Sequence, residues 1–161
     1  LTYNLTSAAG LSAYEASNYA SPGGECQHNL NIWRGGDYGG VGPGAHGRLT
    51  TDGVTHAVYR LHDAGRWLEG VAERGHGTAK RTQLTPVSRR QELVMMGLRL
   101  AEGINLNRFR RIAGCELLNT LNSSGLNRMI DGSFVALDDD RLTATPAGRL
   151  RLNAVLGELL T

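Results

Sequence analysis

From about residue 85 onward the apolar positions recur at helical spacing; before it they do not. Leu93, Met96 and Leu100, widened by Val94 and Leu98, line one helix face. Thr85-Pro86 supplies the cap and first-turn proline that open such a helix, so one is predicted over residues 86 to about 100. A short basic helix follows at 107–113. A third begins at Ser123 or Ser124 and ends at Asp131-Gly132, with Leu126, Met129 and Ile130 inward. Residues 134–137 and 141–144 read as strands joined by Asp138-Asp139-Asp140. Thr145-Pro146 repeats the cap, and Leu152, Val155, Leu156 and Leu159 give the last helix its apolar stripe. Three helices, a hairpin and a closing helix predict a winged-helix-like domain over 85–161. This is expected to be the more independent folding unit.

The preceding half has another texture. Residues 3–9 read as the end of a helix stopped by Gly10, and 12–17 as a short strand in which Tyr14 and Ala16 alternate with Glu15 and Ser17. A helix running directly into a strand is the joint of an α/β fold, which leads us to expect earlier joints upstream. Residues 18–47 read as a long glycine-rich loop, closing on a short buried strand and tight turn over 38–46. Asp52-Gly53 predicts a hairpin over 48–59. Residues 63–74 predict a helix offering Trp67, Leu68 and Val71 to a core, ended by Gly75-His76-Gly77.

Composition sharpens this picture at one place. Of 22 glycines in 161 residues, ten fall between Gly23 and Gly53, which marks a backbone that turns sharply or approaches something closely. The formal charge of +2 does not push the reading toward nucleic acid or an acidic membrane surface. No apolar run approaches the roughly 20 residues of a membrane span. The first eleven residues carry no secretory pattern, so a cytoplasmic protein is expected. Cys26 and Cys115 are too few for a disulfide framework or an iron–sulfur site, which takes about four ligands. They are expected to be reduced thiols.

Several clusters have chemical potential. Cys26-Gln27-His28-Asn29-Leu30-Asn31-Ile32-Trp33 places an imidazole near an indole; histidine is a common haem ligand and tryptophan offers a flat face to a macrocycle. On spacing alone, ordinary packing is the preferred account. Gly40-Val41-Gly42-Pro43-Gly44-Ala45-His46 would let a nucleoside press on the main chain, but it lacks the Lys-Ser/Thr of a phosphate loop. Arg108, Arg110 and Arg111 could meet DNA phosphates. Against that, the presumed recognition helix offers only Asn127 and Arg128 outward, and the wing tip is acidic. His56, His62 and His76 share no metal-binding spacing, and no Gly-x-Ser-x-Gly elbow occurs; no catalytic residue is assigned.

Four segments in order resemble the HemW-like proteins, radical S-adenosylmethionine family members related to oxygen-independent coproporphyrinogen oxidases. Tyr14-Glu15-Ala16-Ser17-Asn18-Tyr19-Ala20, continued by Pro22-Gly23, resembles their Y-E-x-S-N-x-A-x-P-G signature. His28-Asn29-Leu30-Asn31-Ile32-Trp33 resembles H-N-x-x-Y-W, which the family associates with haem. Asp37-Tyr38-Gly39-Gly40-Val41-Gly42-Pro43-Gly44-Ala45-His46 resembles D-Y-x-G-x-G-P-G-A-H, and residues 142–150 resemble L-x-x-T-P-x-G-R-L.

The resemblance implies an α+β fragment. Residues 1–48 would be the last helix–strand unit of a partial β/α radical S-adenosylmethionine barrel, 49–84 a hairpin–helix connection, and 85–161 a winged-helix-like C-terminal domain. It implies haem held at His28, Asn29 and Trp33, with His28 the iron ligand, and S-adenosylmethionine approached by Gly42, Gly44, Ala45 and His46. The 4Fe-4S cluster would lie in a missing half: the C-x-x-x-C-x-x-C triad is absent, so this chain alone should not run radical chemistry. Ile32 replaces the family tyrosine, and Gln27 stands where a basic residue is common. The implied function is part of a haem chaperone, with haem, haem-accepting proteins and a homodimer as expected partners. The alternatives are a coproporphyrinogen dehydrogenase and, less favoured, a winged-helix DNA binder.

Overall fold

The computed structural model describes residues 2–161 and divides them into two compact units. One comprises residues 2–35 with 90–161; the other comprises 36–89.

The core of the first unit is built entirely from residues after 90. Helix α4 (Pro86–Gly97) contributes Leu93 and Val94, and Leu98 follows it. The helix stops at Gly97, earlier than its apolar pattern predicts, and Leu98 and Leu100 are buried from the turn that follows; the Gly97 α-carbon packs on Ile104, with no room for a side chain. Helix α5 (Leu106–Ala113) adds Phe109, and α6 (Ser123–Asp131) adds Leu126. Short helix α7 (Pro146–Arg149) leads to α8 (Leu152–Leu160), which buries Leu152, Val155 and Leu159 as its spacing predicts. Val135, Leu142 and Ala144 enter from a three-stranded antiparallel sheet in which β8 (Arg141–Ala144) lies between β6 (Ile104–Asn105) and β7 (Val135–Leu137). The β7–β8 hairpin is where the pattern predicts it. Strand β6 is not anticipated, because two residues carry no alternation to read.

One inward assignment in α6 is corrected: Ile130 is 37% exposed, one position past the Leu126–Met129 stripe. The helix ends at Asp131-Gly132 as predicted, and Ser133, at φ 56°, is the left-handed residue that follows.

Against this core stands the N-terminal segment. Helix α1 (Thr2–Ala8) ends before Gly10 at φ 74°, as expected. The strand predicted over 12–17 is shorter: β1 (Ser12–Ala13) pairs with β2 (Tyr19–Ala20), and Glu15 bridges separately to Leu100. The expected loop over 18–47 also contains a helix, α2 (Gln27–Trp33), which buries Leu30. It escapes sequence reading because Cys26 gives it no side-chain cap, and one buried leucine in two turns makes no stripe.

The second unit is a three-stranded antiparallel sheet, β3 (His46–Thr51), β4 (Val54–Arg60) and β5 (Thr78–Gln83), with α3 (Ala64–Arg74) between the last two strands. Thr51 pairs with Val54, so Asp52 at φ 52° and Gly53 at φ 76° make the predicted two-residue turn. Asp63 caps α3 by accepting from the Arg66 N–H, and Gly75 ends it at φ 75°. Leu68, assigned inward, is 62% exposed; Gly70 is the buried position, opposite Leu61. Strand β5, Thr-Ala-Lys-Arg-Thr-Gln, carries no apolar alternation and is held by its ladder to β4, with Lys80 and Arg81 keeping an edge strand solvated.

Candidate functional site

Helix α2 is the element that carries the imidazole. At 3.6 residues per turn, His28 and Trp33 stand roughly 140° apart around its axis. The structure accordingly separates them: His28 is exposed, while Trp33 is turned inward. Arg99 lies over the Trp33 ring, its Cζ 4.6 Å from the centroid. The Trp33 indole Nε1 is buried and makes no hydrogen bond. Asn29 is half-buried, its Nδ2 donating to the Tyr14 hydroxyl at 3.4 Å. Ile32, one turn on from His28, is half-buried and supplies apolar surface beside it. Were haem held on this helix, His28 would offer its imidazole from the exposed face, and Trp33, turned to the other side, would not stand opposite it.

What holds α2 in place comes from other parts of the same unit. Glu15 is 1% exposed. Its Oε1 accepts from the Ser17 N–H at 2.8 Å and from Asn18 Nδ2 at 2.7 Å, and its Oε2 faces Arg99 Nη2 at 3.4 Å. Beside it, the Ala101 N–H donates to the Tyr14 carbonyl. At the helix end, Arg34 forms two parallel bonds of 2.8 Å to Glu102. That hydrogen bonding holds the Glu102 carboxyl below its ordinary range against the opposing effect of burial, with the charges of Arg34, Arg108 and Arg141 assisting. The Arg34 guanidinium is raised by the same bond. In the sequence Glu15 stands both in the strand alternation over 12–17 and in the Tyr-Glu-x-Ser-Asn run, neither of which foretells its burial, and Arg99 is missed altogether. Its sole local signal is a lone arginine between Leu98 and Leu100.

The glycine-rich turn belongs to the other unit. Gly42 at φ 99° has open space where a β-carbon would be, whereas Gly44 at φ 69° faces the His62 ring. The Gly44 N–H donates to Leu61, and the Ala45 carbonyl accepts from Arg60. His46 is exposed and stacks edge-on with Tyr59 at 4.9 Å. Gly42 thus offers open backbone to a ligand; Gly44 and Ala45 are engaged in holding the turn. A cleft of about 230 Å³ beside Gly40 and Gly42 is lined by Arg60, Trp67 and His76. Arg60 Nε donates to the Gly40 carbonyl at 3.0 Å, tying the loop to β4.

Of the remaining candidates, Arg108 faces Glu102 at 3.5 Å and Arg110 faces Glu116 at 3.3 Å, so the basic helix is partly neutralised. Asp138 accepts the Asp140 and Arg141 N–H groups, which lower its pKa and shape the acidic hairpin tip. Cys26 is exposed and Cys115 half-buried, its sulfur 3.7 Å from the Thr120 hydroxyl. His56 contacts Arg81, and His76 accepts from the Thr78 N–H. No helix among the described residues is long and apolar enough to cross a membrane.

Comparison with known proteins gives a consistent set of similarities. Residues 84–151 match the family model described as the HemN C-terminal domain. The chain is 32% identical over 158 residues to the zebrafish (Danio rerio) protein named radical S-adenosyl methionine domain-containing protein 1, mitochondrial, covering 94% of this chain and 36% of that protein. It is 34% identical over 154 residues to the heme chaperone HemW of Mycobacterium tuberculosis, with 96% and 36% covered. The structure of the radical SAM enzyme coproporphyrinogen III oxidase (HemN) from Escherichia coli superposes with a TM-score of 0.68 at 14% identity, over 98% of this chain and 38% of that one. The chain thus spans just over a third of the relatives it matches, and the last likeness is one of fold.

Proposed function

The chain is a relative of the HemW-like radical S-adenosylmethionine proteins and carries a HemN C-terminal domain, and from that premise we propose that it is the haem-handling C-terminal portion of a haem chaperone. The observation that carries the reading is α2: an exposed His28 on a short helix fixed from below by Leu30, Asn29 and Trp33. An imidazole presented on an open face suits a cargo that must be released to an acceptor protein. His28 is the iron ligand in this reading. Asn29 and Trp33 act by holding the helix: Asn29 through Tyr14, Trp33 beneath Arg99. Ile32 gives the porphyrin an apolar edge where the family's phenol is absent.

The same reading takes residues 1–48 as the last helix–strand unit of a partial barrel, 49–84 as a connection, and 85–161 as a winged-helix-like domain. Gly42, Gly44, Ala45 and His46 are the approach to S-adenosylmethionine, with the open α-carbon of Gly42 giving the closest main-chain access. A reduced cluster with that cofactor supplies radical chemistry when bound; its cysteine triad is not in this sequence. Haem-accepting proteins are the proposed partners, in the cytoplasm, with a homodimer as the proposed assembly. Coproporphyrinogen dehydrogenation is the second reading, which the fold accommodates equally. The His-Asn-x-x-x-Trp helix favours the chaperone.

The test is a haem titration of the full-length protein beside His28→Ala. A saturable Soret band that the variant loses or shifts is expected. Absence of specific binding in the intact, cluster-loaded protein would sink the reading, and coproporphyrinogen decarboxylation would then be assayed.

A further inference from the structure

One groove on the unit formed by residues 2–35 and 90–161 carries charge of a single sign. Its volume is about 390 Å³, and its lining includes Ser17, Arg99, Arg149, Leu150, Arg151 and Asn153, with no aspartate or glutamate. Arg149 and Arg151 have no carboxylate within ion-pair reach among the described residues. Arg151 leans on the Phe134 ring at 5.8 Å. Arg99 Nη2 meets Glu15 Oε2 at 3.4 Å, while Glu15 Oε1 accepts from the Ser17 N–H and from Asn18, so the one carboxylate near Arg99 is already engaged. Three guanidinium groups therefore stand against one engaged carboxylate.

Guanidinium groups stay charged at any physiological pH and present forked donors that match carboxylates and phosphates. Neighbouring like charges repel, so an anionic occupant relieves an unfavourable arrangement. Asn153 and the Ser17 hydroxyl add neutral hydrogen-bonding groups, and α8 opens at Arg151 without a side-chain cap.

Two features select among anions. Leu150, between Arg149 and Arg151, is 85% exposed, an apolar surface in the middle of the cationic lining. Arg99 belongs to the groove and also covers the Trp33 ring, so groove and α2 share a side chain. Apolar surface flanked by guanidinium groups fits carboxylates borne on short arms of a large flat apolar body better than it fits free phosphate.

We propose that Arg99, Arg149 and Arg151 form the site that takes the propionate carboxylates of a tetrapyrrole. The proposal rests on the haem-handling reading for the identity of the ligand.

The experiment titrates the full-length protein with haemin and with haemin dimethyl ester, comparing wild type, Arg149→Gln/Arg151→Gln and Arg149→Lys/Arg151→Lys. Thermal melts check that each variant folds. The glutamine pair is expected to weaken haemin binding about tenfold or more, with the Soret maximum and the ester's affinity unchanged; the lysine pair recovers most of the loss. Unchanged haemin affinity in a folded glutamine pair overturns the site. If wild type binds neither iron porphyrin, the haem reading fails on its own account, and metal-free coproporphyrin, with its carboxylates and no iron, decides the groove. Arginine-dependent binding of coproporphyrin then sustains it, and absence of binding overturns it. Inorganic phosphate competing as strongly as coproporphyrin overturns the carboxylate assignment.

Discussion

Gly40 has no room for a side chain. A β-carbon there would lie 2.3 Å from the His46 carbonyl oxygen, well inside contact distance, while the adjacent Gly39 has nothing within 4 Å. The pair makes a controlled test of close approach against mere flexibility. Gly40→Ala is expected to lower the melting temperature of the 36–89 unit by displacing the loop from β3. Gly39→Ala is expected to be near neutral, within about 1 kcal/mol, because it mainly restricts the unfolded chain. Equal effects in thermal unfolding would mean that the loop does not depend on this contact. The glycine excess at 23–53 is plain in the sequence. Which glycine is obligatory is not, because the obstructing atom belongs to a residue brought back by a turn. The same holds at Glu15. Its place in a Tyr-Glu-x-Ser-Asn run is legible, and its partners Ser17 and Asn18 are near neighbours, but Arg99 arrives from another element.

At the scale of elements, the two Thr-Pro caps are legible: Thr85 and Thr145 each stand where the side-chain oxygen accepts from a backbone N–H three residues on. Asp63, Asn105 and Asn122 cap their helices in the same way without a following proline to mark them. Thr145 also donates to the Ser133 carbonyl at 2.8 Å, fastening the turn before α7 to the end of α6. Thr145→Ala should therefore cost about 1 kcal/mol or somewhat more, and Thr145→Ser most of an order less; urea denaturation monitored by circular dichroism checks the ranking. Elements that lack such signals were illegible. Helix α2 has no side-chain cap, β5 has no apolar alternation, and β6 is two residues long. Each is stabilised by what it packs on or pairs with, and local sequence cannot report that.

For the molecule as a whole, the Arg34–Glu102 pair joins the end of α2 to the segment after α4, across 68 positions of sequence. Because the folded Glu102 carboxyl sits below its ordinary range, the unfolded chain binds its proton more readily. The stabilisation is thus complete above the ordinary carboxylate range and is lost as pH falls through and below it. Melting temperature measured down an acid series should fall more steeply for wild type than for Glu102→Gln, which has no proton to take up. Parallel curves would remove Glu102 from the acid response.

By itself, the sequence determined the local order of the chain: the caps, the Asp52-Gly53 hairpin, the helical stripes after residue 85 and the family resemblance. Each of these is written in neighbours within a few positions, where propensity and periodicity act. Only the tertiary structure decided that His28 faces solvent while Trp33 lies under Arg99, and that Arg99, Arg149 and Arg151 share one groove. Those arrangements depend on contacts between residues 50 to 70 positions apart. The chain makes such contacts only once its core has closed, because burial supplies the free energy that holds distant side chains together.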